Sequence, residues 1–117
     1  MDSKSLDATE SVAAEGATSP RVSLMDIRNE IKSKTFLNLA AAIEASGIIA
    51  PEAAKIMTLC VVEMHNGFIF IGKSAPASPE NYDAEKGKLF AGDDAVRQIW
   101  PMMGFALKDR LKSSANV

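Results

Sequence analysis

Nucleophiles and metal ligands are scarce in this chain, whose 117 residues include one cysteine, Cys60, and one histidine, His65. A single cysteine excludes a disulfide framework, and Cys60, set in an apolar run, reads as a small buried hydrophobe. His65 adjoins a turn, lacks a neighbouring Ser or Cys nucleophile, and falls on the opposite strand face from Cys60, which is a poor start for a metal site. Basic excess is missing too: the net charge is -2, which argues against a chain that grips a nucleic-acid polymer. No stretch approaches the ~18 apolar residues of a membrane span, and the N-terminus lacks the basic flank and apolar core of a signal peptide. These absences predict a soluble protein of a reducing cytoplasm, with no cofactor and no membrane partner.

Large apolar side chains are almost missing from residues 1–20, so this segment is expected to be a disordered tail. One α+β domain is expected over 21–112, with 113–117 as a flexible C-terminus. Such a domain lies near the lower edge of what one core supports, and oligomerisation is a natural supplement.

What is present centres on Cys60 to Ser74, two strand-like runs flanking Asn66-Gly67. Asn-Gly suits a type I′ turn, which predicts an antiparallel hairpin with strands over 57–65 and 68–74. A two-residue turn pairs His65 with Phe68, Met64 with Ile69, Val62 with Ile71 and Cys60 with Lys73. One face then carries Cys60, Val62, Met64, Ile69 and Ile71, and the other Leu59, Val61, Phe68 and Phe70. Both are largely apolar, so both need cover, one layer of it from a partner chain.

Around the hairpin, helical spacing is clear. Ser23 and Asp26 form a capping-box pattern before Leu24, Ile27 and Ile31, predicting a helix over 24–34. Asn38 restarts a short helix over 39–45, ending at Ser46-Gly47. A longer helix is predicted over 82–99, capped by Asn81 or Asp83 and stopped or kinked at Pro101, with a last helix over 102–112. Gly87 and Gly92 inside the long helix signal close packing or a break.

The spacing Gly67 to Gly72-Lys73-Ser74 satisfies the letter of a P-loop. Its four intervening residues are β-formers, however, and Pro76 and Pro79 block a helix after Ser74, so the match is rejected. The Ser74 to Asp83 segment is the better candidate. It offers small residues for close backbone approach, hydroxyls at Ser74 and Ser78, the Asn81 amide, the Tyr82 ring and a helix N-terminus suited to an anion. Lys86, Lys88 and Arg97 supply cations from the helix behind it. No acid, base and nucleophile set is visible, so an enzyme is not expected.

His65-Asn66-Gly67-Phe68, Gly72-x-Ser74-Ala75, Pro79-Glu80-Asn81-Tyr82-Asp83, Asp94-Ala95-Val96 and Ile99-Trp100-Pro101 together resemble a family of small tailed-phage and prophage proteins. The start Arg21-Val22-Ser23-Leu24-x-Asp26-Ile27 extends the resemblance to about 21–111. Tyr82 stands where that family usually has Phe, and Lys88 where Arg is common. The layout is similar to the cyclic ADP-ribose sponges by which phages defeat Thoeris defence. The resemblance implies a non-enzymatic anti-defence protein of the host bacterial cytoplasm that assembles as a homodimer or higher oligomer and sequesters a signalling nucleotide between subunits. Phe68 and Tyr82 would stack a base, Ser74, Ser78 and Asn81 would bind ribose or phosphate, and Lys88 and Arg97 would neutralise charge. The alternative is a phage protein that inhibits a host protein through an apolar hairpin face.

Overall fold

The computed structural model describes residues 3–115. Four α-helices and three strands follow the chain: α1 (Lys4–Ala14), α2 (Leu24–Glu30), β1 (Ile31–Asn38), α3 (Leu39–Ala45), β2 (Thr58–Met64), β3 (Ile69–Ser74) and α4 (Ala84–Ala115). The strands form one antiparallel sheet in the order β1-β2-β3, so the expected α+β class is observed.

The N-terminal expectation is corrected. Lys4–Ala14 is a helix, with Ser3 accepting from the Leu6 amide at 3.0 Å and donating to Asp93 on α4 at 2.9 Å. Leu6 alone is buried in the core, and polar bonds do the rest: Arg21 donates twice to Glu10, at 3.0 and 2.6 Å, and Arg97 donates to Ser5 at 2.7 Å. Composition undervalued the segment because its anchoring is polar and long-range. At the other end the expected flexible stretch is helical through Ala115, and 116–117 lie outside the described residues.

The capping box at α2 forms as expected, with Asp26 N–H donating to Ser23 Oγ at 3.0 Å and Ser23 N–H to Asp26 at 2.9 Å. Leu24 and Ile27 enter the core, but the helix stops at Glu30 and the chain becomes β1. The predicted helix over 24–34 is therefore too long, and a strand was missed. As an edge strand, β1 is exposed along nearly its whole length and carries Lys32 and Lys34, so it has no period-two apolar signal. Pairing with β2, from Ile31 opposite Met64 to Asn38 opposite Thr58, overrides the local helical spacing. Asn38 then caps α3, accepting from Ala41 N–H at 3.1 Å, as the sequence predicts.

The hairpin exists in a different register. Met64 N–H donates to Phe68 O at 2.9 Å and Gly67 N–H to Met64 O at 2.9 Å, so the connection is three residues, His65-Asn66-Gly67, with positive φ at Gly67 alone (+89°). This is a type I turn closed by a left-handed glycine rather than a type I′ pair. Val62 consequently faces Phe70, and Cys60 faces Gly72. Because side chains alternate, the one-residue slip exchanges the faces of β3. Phe68, Phe70 and Gly72 join Met64, Val62 and Cys60 on the inner face, while Ile69 and Ile71 join Val61 and Leu59 outside.

The inner face packs on α4, whose Ala91, Ala95, Val96 and Ile99 are buried. Close approach is enforced by glycine: a Cβ on Gly72 would overlap the Ala91 carbonyl and lie 2.6 Å from the Ala95 amide nitrogen, and one on Gly87 would overlap the Thr58 hydroxyl. Of the two meanings for the helix glycines, close packing holds at Gly87; at Gly92 an added Cβ would only touch Phe36 at 3.9 Å, and the helix runs through it unbroken. The helix does not stop at Pro101 but runs on to Ala115, so the two predicted C-terminal helices are one. Trp100 Nε1 donates to Val22 O at 2.9 Å and Met103 packs on the core, which holds the chain in helical phase across the proline. Leu37, Ile69 and Ile71 remain exposed on the outer side of the sheet.

Candidate functional site

Four local devices build a cleft where β3 hands over to α4. Gly72 lets β3 lie against the helix, Ser74 ends the strand, a single 3-10 turn over Pro79–Asn81 reverses the chain, and Asp83 starts α4. The turn is closed by Asn81 N–H donating to Ser78 O at 3.0 Å and Tyr82 N–H to Pro79 O at 3.1 Å. The cleft so formed has a volume of about 200 Å³ and is lined by Ser74, Asn81, Tyr82, Asp83, Lys86 and Phe90, among others. Gly87 forms its floor, where any side chain would meet Thr58.

The helix N-terminus in the cleft is already occupied. Asp83 Oδ1 accepts the Glu85 and Lys86 amides, both at 3.0 Å, so the free N–H groups expected to attract an anion are satisfied by the chain's own carboxylate. Positive charge in the cleft comes instead from Lys86. Asp83 leaves its second oxygen as an acceptor, the natural complement of a sugar hydroxyl. Tyr82 and the half-exposed Phe90 supply flat apolar surface. Among the described residues no side-chain hydrogen bond ties Ser74 to a base, and no group of three or more His, Cys, Asp or Glu side chains is disposed to hold a metal ion.

The structure brings Ser74, Asn81 and Tyr82 together and disperses the other candidates. Ser78 lies on the adjoining turn, exposed and without a side-chain capping bond. Phe68 is at the opposite end of β3, its ring centroid 5.0 Å from that of Phe70, in a separate groove beneath α4. Lys88 lies 3.5 Å from Glu85 and faces a hollow under α1 with Arg28, Lys34 and Phe36. Arg97 is spent on α1, through Ser5 at 2.7 Å and Thr9 at 3.5 Å. Phe90 was missed. It lies one turn beyond Lys86, and with the helix phase set by the Asp83 cap that spacing was the available signal.

Family comparison now adds to the geometry. A family model described as "Phage protein (N4 Gp49/phage Sf6 gene 66) family" matches residues 22–111. The chain belongs to that family. No curated protein and no solved structure matches it. In this phage protein the cleft, the hairpin and the sheet all fall within the matched residues, whereas α1 precedes them. No helix among the described residues is long and apolar enough to cross a membrane.

Proposed function

We propose that this phage protein is a non-enzymatic binder that assembles with itself and sequesters a cyclic or ADP-ribose-like signalling nucleotide at subunit interfaces, in the host bacterial cytoplasm, blunting immune signalling. The observation that carries the reading is the cleft between Ser74 and Phe90. It combines two aromatic rings for a base, the Asp83 and Asn81 side chains and the Ser74 hydroxyl for ribose, and the Lys86 ammonium for phosphate. Its volume of about 200 Å³ falls below the roughly 300–1,000 Å³ of ordinary small-molecule sites. A second subunit closing the open side would supply the difference, which is how a site comes to sit between subunits. Nothing in the cleft pairs a nucleophile with a base, so the ligand would be held and not turned over.

The test incubates purified protein with cyclic di- and trinucleotides and cyclic isomers of ADP-ribose, reads the melting shift, and recovers the ligand after denaturation. At a ligand concentration of 100 Kd the shift corresponds to about 2.7 kcal/mol, and Tyr82→Ala should weaken binding by roughly 1–3 kcal/mol. A panel with no shift removes the sponge reading; recovery of an altered product makes the protein an enzyme. A second reading, inhibition of a host protein, is favoured by one observation: Ile69 (48% exposed) and Ile71 (53% exposed) form an apolar outer patch on the hairpin.

A further inference from the structure

Beyond Ile99 no described residue of α4 is buried, yet the helix runs on to Ala115. Trp100 and Met103 still pack on the core, and past them the overhang carries Gly104, a poor helix former. A helix of that length is marginal in water without a packed face. It nevertheless presents Met102 (49% exposed), Phe105 (69%) and Leu111 (40%). Beneath it lies a groove of about 570 Å³, walled on the hairpin side by Met64, Phe68 and Phe70 and on the helix side by Met102, Phe105 and Ala106.

We propose that this groove is an interface between two copies of the chain, the overhang of each seated in the groove of the other about a two-fold axis. A second copy is the occupant because the overhang is itself half of the groove. One isologous contact therefore covers both apolar stripes at once, as two-fold symmetry requires. The charged rim is self-complementary as well: Asp109 and Arg110 are adjacent on the helix, and Glu30 stands on the groove wall. Antiparallel overhangs bring Arg110 of one copy to Asp109 or Glu30 of the other. Within the chain, among the described residues, none of these three has a salt-bridge partner. Phe68, Met102 and Phe105 are the exposed large apolar side chains of the groove, and at roughly 100 Å² each they give about 600 Å² for the pair; the polar rim of Asn66, Asp109 and Arg110 brings the total towards about 1,000 Å², the lower bound of a specific interface. This contact uses the inner face of the hairpin tip and is separate from the outer patch at Ile69 and Ile71.

Sedimentation equilibrium on the full chain tests it, with circular dichroism melts run beside it. Phe105→Asp should halve the mass of the assembly while the cooperative melt of the sheet is kept, since Phe105 makes no core contact. Arg110→Glu should weaken association at least tenfold, and adding Glu30→Lys should restore it. A wild-type chain that sediments as a monomer, or a Phe105→Asp variant with the wild-type mass, overturns the proposal. Ile71→Lys distinguishes the surfaces: a loss of mass confined to that variant overturns this interface while leaving assembly through the outer face, and nucleotide binding in the cleft between Ser74 and Phe90, standing.

Discussion

Replacing Gly72 by alanine should strongly destabilise the domain. The added methyl would overlap the Ala91 carbonyl oxygen and sit 2.6 Å from the Ala95 amide nitrogen, where ordinary contact begins at about 3.4 Å. Both obstacles are helix backbone, so no side chain can swing aside. The helix must back off by about 0.8 Å or more, and overpacking of this kind typically costs 1–3 kcal/mol. Lifting α4 also stretches two bonds that tie it to β3, Lys73 N–H to Asp94 and Gln98 Nε2–H to Ile71 O, both 2.9 Å. At about 1 kcal/mol each, the total is about 3–5 kcal/mol. A domain of this size has a stability of about 5–15 kcal/mol. With a urea slope of about 1–3 kcal/mol/M, the unfolding midpoint should fall by roughly 2 M. Equilibrium urea unfolding followed by Trp100 fluorescence measures it. A midpoint within about 0.5 M of wild type would refute the claim that β3 and α4 meet backbone to backbone.

Docking of α1 should loosen in acid. Glu10 is held below the usual carboxylate range chiefly by the Arg21 guanidinium, assisted by the Leu24 amide. A depressed pKa contributes stability that is present above the unfolded value and lost as pH falls through the folded one, so the contribution fades below about pH 4.5. Protection factors in α1, taken against the intrinsic exchange rate at each pH, should fall between pH 7 and pH 3 ahead of those in the sheet, and Glu10→Gln should reproduce the loosening at pH 7; equal protection factors at both pH values would contradict it. The thiol of Cys60 is fully buried and its pKa is raised by desolvation. It should react with a thiol reagent at pH 8 on the order of a thousandfold more slowly than in the urea-unfolded chain, since reaction awaits opening of the core; a native rate within tenfold of the unfolded rate would disprove that burial.

Features written locally were legible in the sequence. The Ser23 capping box, the Asn38 cap, the Gly47 stop and the existence of a hairpin at Asn66-Gly67 are each decided by a few adjacent residues. The hairpin register was not, because an Asn-Gly pair serves both two-residue and three-residue connections. The choice falls to which face of β3 can accept α4, where Gly72 is needed and Ile71 would not fit. β1 escaped notice because its partner lies far along the chain and both its faces are wet. The cleft was half visible. Ser74, Asn81 and Tyr82 are close in sequence, so a loop reading gathers them, whereas Arg97 and Lys88 point away along α4 by helical phase, which only the start at Asp83 fixes.

The glycine seam between β3 and α4 also gives one helix two working ends. The contact centres near Ala91 to Ala95, with Lys86 about 10 Å to one side and Ala106 about 20 Å to the other at 1.5 Å per residue. The cleft at one end of the hairpin and the groove at its other end therefore share one wall, continuous through Pro101 and seated where β3 has no side chain.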